Sequence, residues 1–309
     1  MRRREFIVLS ATAASSTAAL AGDGQQPLDI RVGDQIATSF YYGNAWDKPF
    51  LYPIRTVSGK VISRGFPIEP HAGDSTDHLW HRGMWYGHAN INGADFWREQ
   101  GPGKTARLMP KSKPRVSGSG VSVDLAMLPP SGTSIGTVRE QFRFADHGRI
   151  RLLDATITIF ADARQSLKFG DSDDRGFAYR LNEAFREDRG AQLRNSEGLS
   201  GTKQIWGKPA RWVDYSAVID GVPVGVAMLD HPGNLRHPTR WHARGYSLNA
   251  ANPFALKSFT NDQSADGSYT LPAGQKLVLR YRTVIHEGPF ETPDVERLFA
   301  DYARTDGAH

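Results

Sequence analysis

Seven of the ten histidines lie in two short stretches, 71–88 and 231–242. The first reads Asp77-His78-Leu79-Trp80-His81-Arg82-Gly83 and runs on to His88; the second begins Asp230-His231-Pro232 and passes through His237 to His242-Ala243-Arg244. Imidazole titrates near neutrality, so histidines interleaved with carboxylate, guanidinium and indole groups suit a polar cleft that binds a ligand and moves protons. The candidates for acid and base are His81 and His88 from the first stretch facing His237 or His242 from the second, with Asp230 or Glu183 as carboxylate partner. Arg82, Arg180 and Arg244 supply fixed forks of donors for hydroxyl groups or a uronate.

Two other readings of these residues stay open. His78 and His81 are spaced so that a turn could place both on one divalent metal, with Asp74 or Asp77 as an oxygen ligand. The same spacing also serves histidines that bond loop carbonyls or stack on Trp80 and Trp85. His71, outside the dense part, reads as structural or surface. Six of the seven tryptophans, Trp80, Trp85, Trp97, Trp206, Trp212 and Trp241, lie in or beside the polar stretches. Aromatic faces beside Arg, Asp, Asn and His grip sugar rings, pairing an apolar C–H face with fixed hydroxyl bonds. Trp97, Trp212 and Trp241 are the candidate platforms, and ordinary core packing is the alternative for each.

The elements that must hold these groups read as strands. Val121 to Leu125, Arg149 to Phe160 and Lys276 to Arg282 alternate in polarity with β-branched residues, the period of half-buried strands. Ser117-Gly118-Ser119-Gly120 and Pro129-Pro130-Ser131-Gly132 punctuate them, and Asp220-Gly221 joins Val213–Ile219 to Val222–Leu229 as a hairpin. A strand over Phe177 to Glu183 would put Phe177, Tyr179, Leu181 and Glu183 on one face and Arg180 on the other. In an extended chain His81 and His88, seven apart, would face opposite sides unless a turn intervenes. Residues 101–114 read as an exposed loop, and Asp171 to Asp174 as a solvated turn lacking a calcium-loop register. One helix is expected at the C-terminus, with Thr292 as cap, Pro293 in the first turn, and Val295, Leu298, Phe299 and Tyr302 as its stripe.

Bulk properties narrow the function. The 309 residues include 31 Gly and 18 Pro, and 39% are hydrophobic, which fits one large turn-rich β domain over 23–309. Residues 1–22, with Arg2-Arg3-Arg4 before Phe6-Ile7-Val8-Leu9 and then Ala19-Leu20-Ala21, read as a twin-arginine-like export signal, placing the mature protein in the periplasm or outside the cell. Removing it lowers the net charge from +5 to +3, too mild to imply nucleic acid. A mean hydropathy of −0.47 argues against a membrane span in the mature form. With no cysteine, disulfides, thiolate metal sites and cysteine nucleophiles are excluded. Neither a phosphate-binding loop, nor a Gly-x-Ser-x-Gly elbow, nor an internal repeat is present.

Four stretches carry a family resemblance: KPFLYPIRTVSGKVISRGFPIEP (48–70), DHLWHRGMWYGHANINGADFW (77–97), WGKPARWVDYS (206–216) and DHPGNLRHPTRWHARGYSLNAANPF (230–254). Through them most of the mature chain resembles the PmoA family of secreted bacterial proteins. The order of β segments and the closing strand Leu271–Arg282 look like the end of a galactose-mutarotase-like β-sandwich. That resemblance implies an all-β antiparallel supersandwich with a short C-terminal helix, in a superfold that includes aldose epimerases, polysaccharide lyases and accessory domains of glycoside hydrolases. In the epimerases, histidines and a carboxylate act as acid and base on one concave sheet; His81, His88, His237 and His242 would be counterparts in kind. The expectation is an exported general acid/base enzyme, an isomerase, lyase or hydrolase, acting on a carbohydrate or other polyhydroxylated small molecule. The alternatives are a noncatalytic carbohydrate-binding protein and a metal-dependent enzyme using histidine and carboxylate ligands.

Overall fold

Along Gly120–Leu128 every second side chain is buried, as its alternating polarity requires. The same logic builds a nine-stranded antiparallel sheet whose path runs from Gln192–Asn195 through Trp212–Ile219, Val222–Asp230, Lys276–Glu287, Ile150–Ala161, Gly136–His147 and Gly120–Leu128 to Arg107–Pro110, with Arg115–Ser117 also paired to Gly120–Leu128 off that path. A seven-stranded antiparallel sheet faces it: Leu28–Val32, Gln35–Tyr41, Phe50–Tyr52, Met84–His88, Arg175–Arg180, Leu248–Asn252 and Arg240–Trp241. The computed structural model describes residues 26–101 and 103–305, so the expected export signal lies outside the described residues.

The inner faces meet in one core that includes Tyr86, Phe142, Ile157, Phe177, Tyr179, Val226 and Tyr281. Each such fully buried side chain contributes about 1.5–3 kcal/mol of transfer free energy. The protein is thus an all-β sandwich of large antiparallel sheets with a short C-terminal helix. The seven-stranded sheet carries a second apolar layer on its outer face, made of Phe50, Tyr52, Trp85, Trp97, Ala178, Leu248 and Ala250. The chain enters this sheet from the first histidine stretch at Gly83, where φ is +47° and a Cβ would fall 2.0 Å from the Leu51 carbonyl oxygen. Only glycine lets the backbone pass there.

Three local expectations need correction. The stretch 101–114 is not wholly a loop, because Arg107–Pro110 pairs with Gly120–Leu128 at the sheet edge, where a terminal proline is tolerated. The strand containing Arg180 ends there: Asn182 accepts from the Ala184 amide and turns the chain into a 3-10 turn, Glu183–Phe185, so Glu183 leaves the Phe177 face. The helix Thr292–Ala303 starts as expected with proline in its first turn, but its cap is Glu291, which exchanges side-chain bonds with Asp294. Replacing Glu291 with alanine is expected to cost about 1 kcal/mol, read as a lower denaturation midpoint with unchanged slope.

Candidate functional site

Alternation along Met84–His88 sorts the first histidine stretch between two faces. Met84 and Tyr86 point into the inter-sheet core while Trp85 points outward, and the odd spacing puts His81 and His88 on opposite sides. His88 lies inside, edge-on to Phe169 and Phe254 with its Nε2 3.2 Å from Arg175 Nη1. Burial, and then the Arg175 charge, hold its pKa well below the ordinary imidazole value. It cannot meet a ligand alongside His81.

The Asp230–His237 pair lies elsewhere too. His237 Nδ1 is 2.7 Å from Asp230 Oδ2, and its ring stacks on Phe299 of the C-terminal helix. Asp230 also accepts from Asn234 Nδ2 and the Thr239 amide. This pair fastens the loop after Val222–Asp230 beneath that helix, apart from the outer face of the seven-stranded sheet. The expected tryptophan platforms fail for a simpler reason: Trp97, Trp212 and Trp241 are each 0% exposed, and a sugar ring needs a free aromatic face. Trp97 backs Trp85, Trp212 Nε1 donates to Glu296, and Trp241 Nε1 donates to the Ala210 carbonyl. Arg82 is spent as well, with both terminal nitrogens 2.5 Å from Glu99 and its guanidinium over Trp46.

What the structure does gather, on the outer face of the seven-stranded sheet, is His78, His81, Arg180 and Glu183, joined by Arg64, Ser75, Asp77 and Tyr246. Arg64 and Arg180 are both 0% exposed and both reach the Asp77 carboxylate, Arg64 Nη1 at 2.8 Å and Arg180 Nη2 at 3.1 Å. Arg64 also donates to the carbonyls of Ser75, Asp77, His78 and His81 at 2.9–3.2 Å. One buried guanidinium therefore shapes the whole segment through its main chain. Ser75 Oγ donates to Glu183 at 2.7 Å and accepts from Arg180 Nη2 at 3.0 Å, so Glu183 enters the same network.

Asp77 and His78 are the exposed tip of this network, with about two-fifths of each side chain accessible. Burial alone would raise the Asp77 pKa; the Arg180 charge, together with bonds from His78 and Arg180, instead holds it well below the usual carboxylate range. A carboxylate only accepts, so His78 Nδ1 must donate to it. His78 Nε2 is left as the proton-accepting atom. The backbone of His78 is held at φ +47°, a left-handed conformation that costs about 1–2 kcal/mol outside glycine and is found at functional turns.

His81 sits behind it. Its ring is parallel to His78 at 4.6 Å and stacks on Trp85 at 5.1 Å, while Tyr246 lies on the other side of His78 at 5.9 Å. Burial, then Arg180, keep His81 neutral, and its Nε2 has no hydrogen-bond partner among the described residues. The parallel rings also remove the expected shared metal position. Imidazole lone pairs lie in the ring plane, and two parallel rings stacked face to face with centroids 4.6 Å apart do not aim at one cation. Among the described residues no group of three His, Asp or Glu side chains could hold a metal ion.

The second histidine stretch reaches the same face at its far end. His242 pairs through its backbone with Ala250, which pairs with Ala178, which pairs with Trp85. Three inter-strand steps, roughly 14 Å, thus separate the His242 and Trp85 backbones. His242 Nδ1 donates to the Asp173 carbonyl at 2.8 Å, which leaves Nε2 to accept from Arg244 Nε, also at 2.8 Å. Burial, then the Arg244 charge, lower the His242 pKa and keep it an acceptor. Of the residues missed in the sequence, Arg64 and Tyr246 had weak signals: an arginine interrupts the apolar alternation of Val61-Ile62-Ser63-Arg64, and Tyr246 stands beside a glycine in a polar loop.

A family model described as a family of unknown function, DUF6807, matches residues 27–300. No curated protein gives a significant match to the chain.

Proposed function

We propose that this chain, which belongs to the DUF6807 family, is a carbohydrate-active enzyme in which His78 exchanges a proton with its ligand on the outer face of the seven-stranded sheet. The observation that carries this reading is the exposed His78–Asp77 pair mounted on two fully buried arginines. A carboxylate that fixes the imidazole tautomer and steadies the imidazolium is the arrangement general bases use, and mounting it on buried guanidinium groups sets the geometry before a ligand arrives. His78 Nε2 accepts a proton from a ligand carbon or hydroxyl and returns it to the product or leaving group. That cycle serves isomerase, lyase and hydrolase chemistry alike.

Hydroxyl-rich ligands suit the rest of the face. The half-buried Tyr246 ring lies under the Arg180 guanidinium at 4.5 Å, and Trp80 is partly accessible edge-on to His78. The antiparallel sandwich is compatible with the galactose-mutarotase-like resemblance, and the twin-arginine-like segment with action in the periplasm or outside the cell. The test is a panel of neutral and acidic sugars, followed for product by NMR and for affinity by calorimetry, with Tyr246→Ala as the control for location. Conversion of at least one sugar is expected, with affinity about tenfold lower in Tyr246→Ala, the scale of a lost desolvated cation–π and stacking contact. Binding without conversion of any sugar would instead identify a noncatalytic binding protein.

A further inference from the structure

We infer that the outer face carries a second subsite at Arg244 and Asp173, which reads a vicinal diol, so that the ligand is at least a disaccharide. This rests on the proposed reaction at His78. Arg244 is fixed on two sides: Nε is bonded to His242, and the guanidinium lies over Trp206 at 5.2 Å. Its two terminal nitrogens make no hydrogen bond among the described residues, and about a third of the side chain is accessible. The Asp173 carboxylate, also about a third accessible, stands 3.8 Å from Nη2, beyond hydrogen-bond reach, and likewise has no hydrogen-bond partner there.

A rigid donor and a nearby acceptor, both unspent and both open to solvent, match what a sugar diol offers. One hydroxyl accepts from Arg244, and it or its neighbour donates to Asp173. A free anion fits less well, because Asp173 and Asp174 cancel the positive charge of Arg244 and Arg98. Using His242 as an acceptor for Arg244 Nε makes sense as aim: the imidazole takes the one donor that would otherwise let the guanidinium rotate. The fork is therefore oriented before anything binds.

Spacing sets the ligand's length. Arg180 pairs with Leu248, and Leu248 bonds through its carbonyl to the Arg244 amide, so the backbones of Arg180 and Arg244 stand two strands apart, roughly 10 Å. The groups open to a ligand at the two ends are His78, held through Asp77 by the buried Arg180, and Arg244, so two linked rings suit this span better than one pyranose ring. The linkage between the rings, or the ring beside it, then falls opposite His78.

The experiment compares cellobiose, maltose, lactose and digalacturonate with their constituent monosaccharides, by calorimetry on the wild type and on Arg244→Ala and Asp173→Ala. Asp173→Ala breaks no side-chain hydrogen bond and guards against misfolding of the other variant. In the wild type a disaccharide should bind more tightly than its monosaccharide. In both variants that advantage should shrink roughly tenfold, the worth of a hydrogen bond to a charged group. A monosaccharide converted in a His78-dependent way, with no disaccharide advantage or one untouched by either variant, overturns the second subsite and leaves the proposed function standing. Absence of binding and conversion for every sugar overturns both.

Discussion

Replacing His78 with glutamine is expected to lower turnover of the converted sugar by roughly 10²- to 10⁴-fold, while affinity changes by no more than a few-fold. Glutamine keeps polarity and approximate length but cannot carry a proton, so the loss falls on the chemical step. The variant also leaves Arg64, Arg180 and Asp77 paired with one another, because His78 contributes only the bond at its own Nδ1. Asp77→Asn is the less clean partner: it removes the one carboxylate among the described residues that both buried arginines touch, and an unpaired buried charge commonly costs about 3–5 kcal/mol. Single-turnover kinetics, with calorimetry on the same samples, separates the two effects. Undiminished turnover in His78→Gln would remove His78 from the mechanism.

The second large effect concerns stability against pH and lies far from the candidate site. Glu140 points inward from Gly136–His147, is 1% exposed, and its Oε1 has no hydrogen-bond partner among the described residues. Burial pushes its pKa from an ordinary 4.5 up to about 8. The charge is felt across the core by the Tyr86 hydroxyl, which also lies near Arg175. Between those two values the folded chain keeps the proton and the unfolded chain has lost it, so folding stability falls as pH rises through 4.5 to about 8 and levels off above. The slope is about 1.4 kcal/mol per pH unit. Glu140→Gln removes it, so the stability of the variant relative to wild type should climb steadily from pH 5 to pH 8 in urea titrations. Other groups titrate alike in both proteins and cancel, and parallel curves would show that Glu140 ionises freely when folded.

Period-two alternation made the sandwich legible: each buried strand position is stated locally by its neighbours, and Asp220-Gly221 states its own turn, with φ of +51° and +75°. Even the separation of His81 from His88 was implied by their odd spacing. What local pattern cannot state is which of two faces a polar group meets once strands 90 residues apart are paired. Asp230 and His237 look like catalytic groups in the chain, and only the placement of the C-terminal helix shows that they fasten the loop beneath it. Arg64 is the converse case. Nothing near it in sequence needs a guanidinium; its partners lie 11 to 17 residues away, and they are chiefly carbonyls, which every residue type provides.

That last feature bears on how this protein could diversify. Because Arg64 grips the 75–81 segment by its peptide carbonyls and the side chains of Ser75 and Asp77, the shape of the segment is largely indifferent to the side chains at 76 and 79. Thr76 and Leu79 face solvent, Leu79 with 51% of its surface accessible, and neither takes part in a side-chain hydrogen bond among the described residues. The segment works as an interchangeable mount: variation at 76 and 79 can retune which ligand is admitted beside His78 while the proton-handling pair stays in register.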